Sequence, residues 1–155
     1  MSKFGYRTPV LALTLVGGLA LAGCGDYVTG VDEHGDAAGV ELVMNGVVVA
    51  TFSFASNTWT GEMEVQEGEE TPHISVDFVD ADGDVIVYDA DFYLDVDVED
   101  ELVAEFEQDT PGEFGGHLHG VSVGETDVTF SLMHGTIGSG HADLVTAPVP
   151  ADVVG

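Results

Sequence analysis

From Gly39 to the C-terminus, short apolar, β-branched runs are separated by turn-forming residues at intervals of about eight to twelve positions, the spacing of an antiparallel sandwich. Strands are predicted at 40–44, 47–54, 60–65, 73–79, 92–98, 102–107, 116–121, 127–134 and 142–149. The first two are joined by Asn45-Gly46, a pair that tolerates the positive φ values of a two-residue hairpin turn. In 127–134, Val128, Phe130 and Leu132 alternate with polar residues and read as a core face that His134 continues. In 92–98, Asp95 and Asp97 alternate with Leu94, Val96 and Val98, apolar inward and acid outward. No segment carries a sustained 3.6-residue period, so the fold class predicted is all-β.

The segment before Gly39 reads differently. Lys3 and Arg7 precede an uncharged apolar stretch, 10–22, too short to span a bilayer as a mature helix, and the stretch ends in Leu21-Ala22-Gly23-Cys24. This is the pattern of a signal peptide, 1–23, and its end resembles the bacterial lipobox. The resemblance implies cleavage before Cys24, lipidation of that residue and a membrane anchor, with the membrane and leaflet left open. Residues 24–38, Gly- and Asp-rich and without periodicity, read as the acylated Cys and a flexible tether, and 39–155 as the folded domain.

Charge narrows the function. The chain has 29 Asp and Glu against two Lys and Arg, a formal net charge of −27, and no Lys or Arg after Arg7. Such a surface repels nucleic acid and offers no cation to steady an oxyanion or phosphoryl group, which excludes nucleic-acid partners and argues against hydrolase chemistry. With 45% hydrophobic residues the chain still has the material for a core, so the acidity reads as a skin suited to high salt or to a cation-rich surface.

Several loose motifs occur in order over about residues 62–150: Val65-Gln66-Glu67-Gly68-Glu69-Glu70, Val103-Ala104-Glu105-Phe106, and Gly120-Val121-Ser122-Val123-Gly124-Glu125-Thr126-Asp127-Val128. In that order the chain resembles the group-2 bacterial immunoglobulin-like domain. It lacks the Trp-x-Ser usual between that family's middle strands, its one Trp being Trp59. The resemblance implies an immunoglobulin-like antiparallel β-sandwich with a surface or periplasmic life, and no reaction.

The candidate chemistry lies in six histidines. His117 and His119, at i and i+2 on a strand, point to one face about 7 Å apart. If Ser122 faces Asp127 across a hairpin, His119 comes opposite Phe130 and His117 opposite Leu132, which puts His134 on the face of His117. His141, after the Gly-rich loop 135–140, then supplies a fourth ligand, with Asp143 next but one. Imidazoles with a carboxylate suit zinc, copper or nickel. His34, flanked by Asp32, Glu33 and Asp36, is a further candidate ligand, and His73 after Pro72 reads as structural. Calcium at Asp77, Asp80, Asp82 and Asp84 is the weaker expectation, because aligning Gly83 with the loop glycine of an EF-hand puts Phe78 at the first ligand position.

The leading expectation is a lipid-anchored, extracytoplasmic envelope protein, not an enzyme. It would bind a divalent transition metal through His117, His119, His134 and His141, and capture it or deliver it to a transporter or other envelope protein. The alternative is a structural or adhesive acidic module without a metal site, for which Tyr88, Phe92 and Tyr93 are the candidate sticky face.

Overall fold

The computed structural model describes residues 37–155, so Cys24 and His34 lie outside the described residues. The elements are β1 (Gly39–Met44), β2 (Val47–Ser53), β3 (Thr58–Gly61), β4 (Met63–Gln66), β5 (Ile74–Val79), β6 (Phe92–Val98), β7 (Ala104–Glu107), β8 (Gly115–Gly120), β9 (Gly124–His134), β10 (His141–Val145) and β11 (Val149–Val154). They form an all-β sandwich of two sheets.

The first sheet has the order β3-β2-β1-β5-β8-β7. Its nucleus is the β1–β2 hairpin, where Asn45 at φ 52° and Gly46 at φ 76° make the predicted left-handed turn. The second sheet is organised by β9. Along one side β6 pairs through Phe92↔His134 to Val98↔Val128. Along the other, β10 pairs with the C-terminal half and β11 with the N-terminal half, and β11 carries β4 in parallel.

Two predicted strands are each two strands. The run 60–65 breaks at Gly61, whose φ of 94° lets the chain leave the first sheet as β3 and enter the second as β4. The run 142–149 breaks before Val149 because Pro148 has no N–H for a ladder.

Alternation fills the space between the sheets. Val40, Leu42, Phe52, Ile74, Val76, Phe78 and Leu118 of the first sheet meet Met63, Leu94, Val128, Phe130, Leu132 and Val153 of the second, all at most 1% exposed. Each such side chain contributes about 1.5–3 kcal/mol by leaving water. Trp59 of β3 ties the layers together: its ring lies 5.2 Å from Phe52 and 6.2 Å from Phe130, and its Nε1–H donates to the Ala147 carbonyl at 2.6 Å.

Candidate metal centre

The inward face of β9 runs Val128, Phe130, Leu132 and ends at His134, where the core gives way to the rim. The imidazole stacks on Phe92 with ring centroids 4.5 Å apart and planes 9° from parallel, which fixes its orientation. After the turn at 135–140, β10 begins with His141 directly opposite His134. The register then shifts between Ala142 and Leu144, so Asp143 stands outside the ladder as a bulge residue. That bulge re-aims its carboxylate: Oδ1 lies 2.9 Å from His141 Nε2, and Oδ2 3.8 Å from His134 Nδ1. One donor atom from each of the three residues lies within 4.8 Å of the others.

Burial is uneven across this group. The Asp143 side chain is 14% exposed and that of His141 73%, so a largely desolvated carboxylate sits behind an open imidazole. Tyr88 belongs to the same aromatic rim, 5.1 Å from Phe92, with its Oη buried and without a hydrogen-bond partner among the described residues. Burial, and then the negative charge of Asp143, push its phenol pKa up. Two imidazoles and a carboxylate can hold a first-row divalent ion and leave a coordination position for water or another ligand.

His117 and His119 do not join this group, which corrects the predicted four-histidine cluster. The expected β8–β9 hairpin does not form. The Val121 and Ser122 amides donate to the Val103 carbonyl at 2.8 and 3.1 Å, and the Ser122 hydroxyl donates to the Leu102 carbonyl, so the link is tied sideways to the preceding turn. The chain crosses to the other sheet, and β8 pairs with β7 and β5 instead. Because Leu118 takes the core position, both histidines point to the outer face. There they meet carboxylates: His119 Nε2 is 3.3 Å from Glu107 and 3.5 Å from Glu70, and His117 Nε2 is 3.7 Å from Asp109. The pKa of His117 is raised, chiefly by the hydrogen bond to the Thr71 carbonyl, with burial opposing and the charges of Asp109 and Glu70 adding.

Sequence spacing missed His73. It lies with Asp109 and Glu113, one donor atom of each within 4.8 Å of the others. Those carboxylates arrive from the β7–β8 loop, far along the chain, so no local pattern announced the group. Asp80, by contrast, is occupied by its own turn, accepting from the amides of Asp82 and Asp84 at 2.9 and 3.0 Å. The aromatic residues expected on a sticky face are inside instead: Phe92 and Tyr93 are buried and Tyr88 half-buried.

No family model matches the chain, and no curated protein matches it. Among solved structures it is similar to the crystal structure of domains 4 and 5 of the S-layer protein SbsC, with 17% identity and a TM-score of 0.45, over 62% of this chain and 49% of that one. The chain thus spans about half the length of that structure.

Proposed function

We propose that the protein binds a divalent transition metal, of the zinc, copper or nickel class, through His134, His141 and Asp143, and that it does so as a lipid-anchored protein outside the cytoplasm. The observation that carries this reading is the convergence of three donor atoms within 4.8 Å on paired strands, with the carboxylate aimed by a bulge. The lipobox-like Leu21-Ala22-Gly23-Cys24 supports the anchor, and the net charge of −27 supports a role that concentrates cations near the site, in capture or delivery. Zinc fits the ligand set, its nitrogen and carboxylate bonds of about 2.0–2.2 Å calling for a contraction of the group around the ion.

Calorimetric titration of the full-length protein with zinc in high-salt buffer tests the reading. Salt weakens loose binding to the acidic skin. A stoichiometric event weakened at least about tenfold in His141→Ala and in Asp143→Asn is the expected result, since even residues that merely orient metal ligands are worth about that much. An isotherm unchanged by both substitutions overturns it. For the anchor, Cys24→Ser abolishes incorporation of a labelled fatty acid; equal labelling of the variant contradicts lipidation at that residue.

A further inference from the structure

On the other sheet, the imidazole of His117 has its proton position fixed by the backbone. Nδ1 lies 2.8 Å from the Thr71 carbonyl oxygen, which can only accept, so Nδ1 carries the hydrogen. The orienting carbonyl is itself held: Thr71 is 5% exposed, its amide donates to the Leu118 carbonyl at 2.9 Å, and its hydroxyl oxygen accepts from the Leu118 amide at 3.0 Å. In the neutral ring Nε2 is then a bare lone pair, 3.7 Å from a carboxylate oxygen of Asp109. Two lone pairs facing each other at that range attract only when a proton or a metal cation lies between them. A ring nitrogen donating to a carbonyl while the other is presented outward is also how metal-ligating histidines are oriented.

Two more donors, His73 and Glu113, stand beside this pair. The ring of His73 lies edge-on to that of His117, centroids 5.4 Å apart, and its Nε2 is 3.9 Å from Glu113 Oε1. Room for it comes from Gly115, where a Cβ would sit 2.5 Å from His73 Cε1. The carboxylates stand on an organised loop: Glu113 accepts from the Asp109 amide at 2.6 Å, its own amide donates to the Thr110 carbonyl, and Gln108 Nε2 donates to its carbonyl at 2.7 Å. Tetrahedral coordination at about 2.0–2.2 Å sets neighbouring donors about 3.3–3.6 Å apart. One donor atom each of His73, Asp109 and Glu113 already lies within 4.8 Å of the others, and His117, outside that group but 3.7 Å from Asp109, closes on them as the fourth ligand.

We propose that His73, His117, Asp109 and Glu113 form a second divalent-cation site, of two imidazoles and two carboxylates, at the β5–β8 rim and separate from the one on β9 and β10. The set fits a first-row transition ion of the zinc class.

The test uses cobalt(II), whose visible absorption reports four-coordinate nitrogen–oxygen ligation. It is done on the full-length protein carrying His134→Ala/His141→Ala, so that the first site's success or failure does not enter. Expected is one stoichiometric equivalent in that background, displaced by zinc and weakened at least about tenfold by adding either His73→Gln or Asp109→Asn. Both of those side chains are substantially exposed, and unchanged thermal melts show that the fold is intact. Absence of the equivalent in the double-variant background, or its persistence unchanged through both further substitutions, overturns the second site. Loss of binding in wild type on substituting only His134 and His141 would likewise overturn it, while leaving the first site standing.

Discussion

Glu41 of β1 and Asp77 of β5 are paired directly across neighbouring strands, two carboxylates on one face. Like charges at that position oppose the pairing, and burial raises the pKa of Asp77. The folded protein therefore holds a proton on Asp77 more readily than the unfolded chain does. Its contribution is favourable below the ordinary carboxylate range and is lost as pH rises through the raised value. Asp77→Asn should thus stabilise the protein at neutral pH, by about 0.5 kcal/mol, and the advantage should vanish near pH 3. Thermal melts of both proteins at the two pH values check the sign. At this scale the sequence was informative where a residue's role is local: Asn45-Gly46 announces its turn. His73 was illegible because its meaning depends on Asp109 and Glu113, which only the folded chain brings beside it.

Alternation made the strands readable, since Val128, Phe130 and Leu132 can share a face only if the backbone is extended. The partners of each strand were harder. The β8–β9 link, bounded by Gly120 and Gly124, has the composition of a hairpin, yet its amides bond to the 102–103 turn and the chain changes sheets. Pairing is a long-range choice settled by which face finds the core, so the register drawn from the local link failed, and the four-histidine cluster with it. His134, His141 and Asp143 still came together because a single loop joins β9 to β10. Phe130 is the centre of β9, fully buried and in ring contact with Trp59 and Phe106. Phe130→Ala should cost about 3–5 kcal/mol in denaturant unfolding, while Val87→Ala, at a side chain 91% exposed, should cost within about 0.5 kcal/mol.

Taken whole, the molecule is an apolar sandwich within an acidic skin. A net charge of −27 opposes the compact state by self-repulsion, and added salt shortens its reach from about 30 Å at 0.01 M to about 3 Å at 1 M. The melting temperature should rise over that range of sodium chloride, each 1 kcal/mol gained being worth about 4 °C for a domain of this size. A flat or falling profile would mean that the carboxylates are too dispersed to repel. In the function proposed above, the same skin draws cations to the surface and His134, His141 and Asp143, with donor atoms within 4.8 Å of one another, hold one at the rim of the second sheet. Anomalous diffraction at the zinc edge from crystals grown with zinc in high salt tests that claim most directly. The account predicts a peak about 2.0–2.2 Å from a nitrogen of His134, a nitrogen of His141 and an oxygen of Asp143. Zinc found only among surface carboxylates, with that position empty, would contradict it.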